Sequence, residues 1–327
     1  MRDLARLPKA HLHLHLNASL RPETLRELGA AAGVAVPAST TCESFAEVVD
    51  VVAAAASAIR SAADVGRVLD EIAEDAAHDG AVWIEVSVSS GSLGGDLGSP
   101  REALEIVLEA AQEAAAHSGV GVGVIVGAHR NLGPRRATET ALLVAEYAGS
   151  VLVGFGLDGH EVEFPAALFT DAFAIAREAG LMSVPHAGEF LGAASVADAL
   201  DLLGATRVMH GVRAIEDPAL LQRLAREDIC LDVCPTSNVL MSVVPSLERH
   251  PLPALLSAGV RCSINADDPL PFDTSLLREY ELCRDVLGLT DGVLASVART
   301  SIRASAAPSK IAEPALAEIA VWLDAAA

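Results

Sequence analysis

Basic residues are scarce in this chain of 327 residues, and their scarcity excludes several kinds of partner. There are 23 lysines and arginines against 44 aspartates and glutamates, which gives a formal net charge of −21. Because such a surface repels other polyanions, nucleic acid polymers and anionic membranes are poor partners. The charge places no such restriction on a small neutral substrate.

Cysteine and long apolar runs are also in short supply. The five cysteines are odd in number and form no Cys-x-x-Cys pair, so neither a disulfide framework nor a structural zinc ribbon is predicted. We therefore expect a reducing, cytoplasmic environment. The longest apolar run, residues 48–59, is interrupted by Asp50 and is too short to span a bilayer. Residues 1–8 lack the apolar core of a secretory signal.

The order of apolar segments predicts an α/β fold. Short strand-like runs alternate with Ala/Glu/Leu-rich helical runs, and several strands are continuously apolar, as parallel strands buried on both faces are. The eight predicted strands are residues 10–16, 82–88, 121–126, 151–157, 181–185, 207–209, 229–233 and 260–264. Polar residues follow five of them, which favours a closed (β/α)8 TIM-like barrel over an open doubly wound sheet. No linker divides the chain, so we expect a single domain, 1–327, with a helical excursion over residues 22–79 that could cover the barrel mouth.

Three histidines alternate on the first predicted strand. His11, His13 and His15 therefore project from one face, where two neighbours can reach the same metal ion. The outer pair lies two pleats apart, so we choose His13 and His15, which are nearer the carboxyl end of the strand. Histidines that only satisfy local hydrogen bonds are the alternative, and it is the weaker one for an alternating triplet.

Further histidines and carboxylates follow the later strands. His186 ends the fifth strand and Glu189 comes three residues later, so one could bind a metal ion while the other donates a proton. Asp267 and Asp268 follow the eighth strand, where one could bind metal and the other could hold water or substrate. His210 follows the sixth strand and could orient the attacking water or accept its proton. A helix-capping Glu189, turn-forming aspartates and a buried, hydrogen-bonded His210 are the alternatives.

The remaining candidate residues receive smaller parts. Cys234 is read as structural, and Ser237 and Asn238 as shaping the barrel mouth, because the second cysteine of a Pro-Cys-x-x-Cys signature is absent. Four histidines lie in apparent helix or loop contexts and receive no role: His78, His117, His129 and His250.

Together these fragments resemble the adenosine/adenine deaminase family of the amidohydrolase superfamily. The matching pieces occur in the family's order over nearly the whole chain: residues 7–16, 156–161, 186–189, 210–211, 234–238 and 265–269. The resemblance implies a distorted (β/α)8 barrel with one zinc ion per chain. The residues that match the zinc ligands are His13, His15, His186 and Asp267.

The resemblance also implies roles for the residues around the zinc ion. Glu189 matches the acid that protonates the purine ring beside the attacked carbon, and His210 matches the residue that handles the proton of the attacking water. Asp268 matches the carboxylate that contacts that water and the purine. Gly159 matches the glycine whose backbone contacts the purine ring. The implied reaction replaces the amino group by water-derived oxygen and releases ammonia.

Three departures from the family pattern concern specificity. Relatives carry an acid and a glycine after the second histidine, where this chain has Asn17 and Ala18, so the residue that reads the sugar or the imidazole edge is changed. Ser87 stands where relatives have arginine. The fragment Gly-Leu-Asp-Gly-His-Glu over residues 156–161 leans towards the adenine branch. We therefore expect Asn17 to control substrate choice.

The sequence-based prediction is a zinc-dependent deaminase of a 6-aminopurine nucleoside, either adenosine or a 5′-modified adenosine such as aminodeoxyfutalosine. The alternatives are an adenine deaminase, a mononuclear amidohydrolase acting on another ring substrate, and a non-catalytic ligand-binding homologue. Relatives with two metal ions often bridge them by a lysine after the fourth strand. Residues 153–158 contain no lysine, which favours one metal ion.

Overall fold

The computed structural model describes residues 1–42 and 44–325, and eight parallel strands form one sheet in the order of the chain. They are β1 (Lys9–His15), β2 (Ala81–Ser89), β3 (Gly121–His129), β4 (Leu152–Asp158), β5 (Met182–Ala187), β6 (Arg207–His210), β7 (Cys230–Val233) and β8 (Arg261–Ile264). The eight predicted strands are confirmed with small shifts at their ends. One prediction was wrong: His129 ends β3 and does not lie in a helix or loop.

The helices lie between the strands and after β8. They are α1 (Pro22–Ala32), α2 (Phe45–Ala58), α3 (Ala62–His78), α4 (Pro100–Ser118), α5 (Gly133–Ala145), α6 (Thr170–Glu178), α7 (Ala193–Leu203), α8 (Pro218–Glu227), α9 (Pro235–Leu240), α10 (Leu252–Ser257), α11 (Pro269–Phe272), α12 (Leu276–Asp285), α13 (Asp291–Ala304) and α14 (Ser309–Asp324). This alternation confirms the (β/α)8 barrel. Among the described residues, no helix combines the length and apolar character that a membrane span requires.

The predicted excursion after the first strand consists of α1, α2 and α3. The N–H of Cys42, just before α2, donates to the carbonyl oxygen of Pro271 in α11 at 2.9 Å. Because α11 follows β8, this hydrogen bond ties the excursion to the carboxyl end of the barrel. The excursion therefore reaches the barrel mouth, as the sequence predicts.

The barrel is closed between β8 and β1 by the residues that follow β8. The side-chain oxygen of Asn265 accepts hydrogen bonds from the backbone of Leu12 at 2.7 Å and His13 at 3.2 Å. Asp267 then pairs with β1, donating to the carbonyl of His13 at 3.1 Å and accepting from the N–H of His15 at 3.2 Å. The closing contacts thus fix two histidines of β1 against one aspartate.

A buried ionic network fills the barrel below these residues. Arg207 of β6 donates to the carboxylates of Glu85 on β2 and Asp232 on β7, each at 2.5 Å. Asp232 also accepts from Ser263, which in turn accepts from the amide of Asn265. Since every charge has a partner, the network is compatible with its complete burial. Through Ser263, the network is connected to Asn265, whose side chain binds the backbone of Leu12 and His13 in β1.

Candidate active site

Four side chains bring their metal-binding atoms together where β1 meets the segment after β8. His13 Nε2 lies 3.1 Å from His186 Nε2 and 3.0 Å from Asp267 Oδ1, and His15 Nε2 lies 3.2 Å from the same carboxylate oxygen. Ligand atoms arranged tetrahedrally around zinc lie about 3.3 Å apart, because each is about 2.0–2.1 Å from the ion. These three separations therefore fit donor atoms that share one small divalent cation.

Neighbouring groups orient two of these side chains. His13 Nδ1 lies 3.2 Å from the carbonyl oxygen of Asp232, which can only accept, so Nδ1 carries the ring proton and Nε2 keeps its lone pair. Ser237 Oγ donates to Asp267 Oδ2 at 2.7 Å and leaves Oδ1 facing the histidines. Asp267 adopts φ = +61°, a strained conformation that its two backbone bonds to β1 maintain.

The electrostatics of the cluster favour a bound cation. Burial lowers the pKa of His15, but the hydrogen bond with Asp267 and the charge of Asp268 outweigh it and raise that pKa to about 10. The negative charges that stabilise a protonated imidazole at this position would also stabilise a bound metal ion. Burial and the neighbouring His13 hold the pKa of His186 well below its usual range, so this imidazole is neutral and able to act as a ligand.

His210 lies beside the same cluster, and its proton position is set by a chain of hydrogen bonds. The backbone N–H of Leu252 donates to His250 Nδ1 at 3.1 Å, so the proton of a neutral His250 is on Nε2 and is donated to Asn238 Oδ1 at 3.2 Å. The Asn238 amide then donates to His210 Nδ1 at 3.2 Å. Consequently the proton of His210 is on Nε2, which lies 3.5 Å from Glu189 and 3.7 Å from Asp267.

This tautomer distinguishes His210 from the other histidines of the cluster. His13, His186, His210 and Asp267 all have donor atoms within 4.8 Å of one another, and His15 groups with Asp267 and Asp268. A protonated Nε2 has no lone pair for a metal ion, so His210 is suited to donate a hydrogen bond and not to ligate. The sequence-based separation of His210 from the ligands is compatible with this geometry.

Glu189 lies in a loop that a second glutamate holds in place. Burial, and then the charge of Asp267, raise the pKa of Glu189 well above its usual range, which favours the protonated form of this carboxyl. The loop is fixed by Glu161, whose carboxylate accepts four hydrogen bonds of 2.5–2.9 Å. The donors are the N–H groups of Gly188, Phe190 and Leu191 and the hydroxyl of Ser195. Gly192, not Glu189, is the N-cap of α7, so the capping alternative is wrong.

The remaining predicted site residues surround the cluster at the barrel mouth. Asp268 is half-buried directly after Asp267, and burial followed by the charge of Asp267 raises its pKa. Asn17 follows β1, and its amide donates to Ser92 Oγ at 2.8 Å. Gly159 follows β4 with φ = +93°, and a Cβ atom there would lie 2.7 Å from Asn131 Oδ1, so glycine is required.

Some neighbours of the cluster received no functional role from the sequence. Glu161 is part of the motif at residues 156–161, and that motif was the available signal. His250 had none, because its partner Asn238 is brought to it by the fold. Cys234, predicted to be structural, is buried with its Sγ 3.3 Å from His13 Nδ1, and burial raises the pKa of this thiol well above its usual range. A protonated thiol behind His13 packs and does not ligate.

The chain is similar to known proteins over almost its whole length. The family model described as adenosine deaminase matches residues 8–322. A protein of Streptomyces coelicolor named putative adenosine/adenine deaminase is 43% identical over 341 residues, which cover 99% of this chain and 98% of the relative.

Solved structures share the fold. The crystal structure of an adenine deaminase from Arthrobacter aurescens superposes with a TM-score of 0.90 at 30% identity, covering 97% of this chain and 99% of that one. An amidohydrolase from Burkholderia ambifaria, solved with bound zinc, gives a TM-score of 0.87 at 25% identity and covers 98% of this chain and 93% of its own.

Proposed function

Because the chain belongs to the adenosine deaminase family, we propose that it is a zinc-dependent hydrolase that removes the 6-amino group of a purine as ammonia. The observation that carries this proposal is the convergence of His13, His15, His186 and Asp267, in which three donor-atom separations are 3.0–3.2 Å, beside a half-buried Glu189. The cluster supplies metal-binding atoms of both types, and Glu189 supplies a proton. Hydrolysis of a C–N bond needs both.

Each residue around the cluster has a separate role in the proposed reaction. His13, His15, His186 and Asp267 would hold a divalent ion, which would lower the pKa of water enough to make it a nucleophile near neutral pH. Glu189, whose protonated form is favoured by burial, donates its proton to a ring nitrogen and makes the neighbouring carbon electrophilic.

His210 donates through Nε2–H to the incoming oxygen, and Asp268 accepts a proton from the water and passes it to the amino group, which leaves as ammonia. The proton of the added hydroxyl then restores Glu189 as the carbonyl forms. The backbone of Gly159 contacts the purine ring.

Zinc is the proposed metal because three imidazoles and one carboxylate form the donor set. This combination suits zinc better than magnesium or calcium, which prefer oxygen ligands. The zinc-containing amidohydrolase from Burkholderia ambifaria supports the same choice. We propose one ion per chain, since β4 ends at Asp158 and brings no lysine to bridge a second ion.

Two substrates remain candidates within the proposal. One is the nucleoside of the sequence-based prediction, adenosine or a 5′-modified adenosine. Free adenine is supported by the similarity to the adenine deaminase from Arthrobacter aurescens and by the motif at residues 156–161. Both substrates carry the same reacting carbon, so the cluster and Glu189 serve either one.

We further propose that residues 1–327 act as one domain in a reducing compartment. Contacts between the two ends support the first point, because Arg2 donates to the carbonyl oxygens of Leu323 and Ala325 at 2.6 and 3.0 Å. The second rests on the five free cysteines, all buried and none in a disulfide.

The test is ammonia release by zinc-loaded protein from adenine, adenosine and 5′-deoxyadenosine, with elemental analysis of the same preparation. We expect about one zinc ion per chain and release from at least one of the three purines. A zinc-loaded protein that releases no ammonia from any of them, yet binds purines, would support the non-catalytic alternative. A stoichiometry of two ions would contradict the single site.

A further inference from the structure

A buried carboxylate at the end of β4 has no hydrogen-bond partner. Asp158 is 8% exposed, and neither of its carboxylate oxygens has a partner among residues 1–42 and 44–325. His186 Nδ1, which is also buried without a hydrogen-bond partner in the described residues, lies 3.7 Å from Oδ1, too far for a hydrogen bond. The proposed reaction gives this side chain no role.

A glycine on the neighbouring strand leaves room for the carboxylate of Asp158. Gly127 of β3 faces it, and a Cβ atom at that position would lie 2.1 Å from Oδ2 and 2.3 Å from Oδ1. Any other residue at position 127 would therefore displace the carboxylate. His129, the partner of Asp158 in the β3–β4 register, also has a buried Nδ1 without a hydrogen-bond partner in the described part of the chain.

Asp158 lies on the side of the barrel opposite β8, next to the proposed ligand His186 on the adjacent strand β5. The reacting groups come from β1, β5 and β6 and from the segments after β5 and β8, whereas β4 is four strands from β8 in either direction around the ring. Asp158 also directly precedes Gly159, the position proposed to contact the purine ring. A purine whose reacting carbon lies at the cluster would extend towards this side of the barrel.

An unpaired buried carboxylate is costly, and such groups are retained where a ligand satisfies them. We propose that Asp158 accepts a hydrogen bond from an N–H or O–H donor that differs between a free purine base and its nucleoside, and so helps to decide which of the two is bound. This inference rests on the proposed function, because it takes the ligand to be a purine.

The two purine classes present different donors to such a carboxylate. A free base carries an N–H on its five-membered ring, whereas a nucleoside has that nitrogen attached to the sugar and offers sugar hydroxyls instead. An ionised carboxylate only accepts hydrogen bonds, so it favours the class that places a donor within reach. Burial raises the pKa of Asp158, and the charges of His15 and His129 oppose this rise. In either protonation state the carboxyl group keeps an oxygen that accepts a hydrogen bond.

A purely structural role for Asp158 makes a different prediction. If its only function were to orient His186, its loss would weaken the metal site and affect base and nucleoside alike. A change in the ratio of the two affinities therefore separates a contact with the ligand from an indirect effect through His186.

The experiment measures purine binding by zinc-loaded protein without requiring turnover. Calorimetry gives the affinity for hypoxanthine and inosine, the deaminated base and nucleoside, with wild type, Asp158→Asn and Asp158→Ala. Glu163→Gln is the matched control, since it removes an exposed carboxylate from the same segment. Zinc content and melting temperature are recorded for each variant, and Asp158→Asn should melt no lower than wild type, because it removes a buried carboxyl group that has no hydrogen-bond partner in the described residues.

We expect both Asp158 variants to weaken binding of one of the two purines by about 10- to 100-fold more than binding of the other, as the loss of a charge-assisted hydrogen bond predicts. A selective loss for hypoxanthine identifies the ring N–H as the donor, and a selective loss for inosine identifies the sugar hydroxyls. Equal losses, or none, in folded and zinc-replete variants overturn the proposal and leave the proposed function standing. A wild type that binds neither purine contradicts both.

Discussion

The imidazoles of His210 and His250 are joined through the amide of Asn238, and the chain of bonds has one possible direction. It begins at the backbone N–H of Leu252, which can only donate, and it ends with a proton on His210 Nε2. Burial lowers the pKa of His250 to about 4, so its ring is neutral near pH 7 and the direction is maintained. His250 thus positions the proton of a residue that it does not touch.

Replacing His250 should impair turnover without removing the metal ion. His250→Leu deletes the donor to Asn238 and frees that amide to rotate, so the proton of His210 is no longer fixed. We expect kcat to fall about 10- to 100-fold, the usual range for groups that support a metal-site residue. His250→Gln, which retains a donor, should recover part of the loss. Zinc content should equal that of the exposed control His117→Gln, and unchanged kcat in His250→Leu would exclude the positioning role.

Glu189→Gln should keep the metal ion and lose most activity. The amide has nearly the same shape as the carboxyl, so the loop held by Glu161 stays in place, but an amide cannot supply the ring proton. General acids contribute about 10²–10⁴-fold, and a loss of that size in kcat is expected. Steady-state kinetics together with elemental analysis check it. Near-normal turnover by a metal-replete variant would refute the acid role.

The acid form of Glu189 predicts a pH dependence of definite sign. Burial and the charge of Asp267 raise the pKa of Glu189, and a general acid acts only while it holds its proton. Therefore kcat should fall as the pH rises through the raised pKa, at a higher pH than an ordinary glutamate would give. A kcat–pH profile of wild type should show this alkaline decrease, and the residual activity of Glu189→Gln should not. Parallel decreases in both proteins would assign the decrease to another group.

Asn17→Asp and Asn17→Glu should change the preference between base and nucleoside. Asn17 follows His15 by two residues, and its amide donates to Ser92 Oγ, so it links the end of β1 to the segment after β2. A carboxylate there cannot donate to an acceptor, and it presents a charge to the substrate edge. The ratio of kcat/KM between adenine and adenosine should therefore shift at constant zinc content. If all ratios stay fixed, specificity lies elsewhere, with Asp158 as the next residue to examine.

The sequence predicts the barrel and the metal cluster because both depend on local patterns. Alternating His13 and His15 on a strand define their common face, and buried parallel strands are continuously apolar. The ligands after β5 and β8 are recognisable because they follow such strands directly.

The supporting residues could not be predicted because their partners are distant in the chain. Asn265 binds the backbone of Leu12 from 253 positions away. Glu161 accepts hydrogen bonds from a segment that begins 27 positions later, at Gly188, and the spacing of these residues does not predict the contact. The roles proposed for His250 and Asp158 depend on their burial and on which hydrogen-bond partners surround them, and only the structure shows both.

Hydrolysis in water enriched in heavy oxygen tests the central claim most directly. Zinc-loaded protein is incubated with adenine and, separately, with adenosine. The mass of the purine product is measured by mass spectrometry, and the ammonia released is measured in the same sample. If the cluster of His13, His15, His186 and Asp267 activates water for attack on the amino-bearing carbon, the product carries one heavy oxygen for each ammonia released, and Asp267→Asn abolishes both. Ammonia without label in the purine, or equal product from Asp267→Asn, would contradict the account.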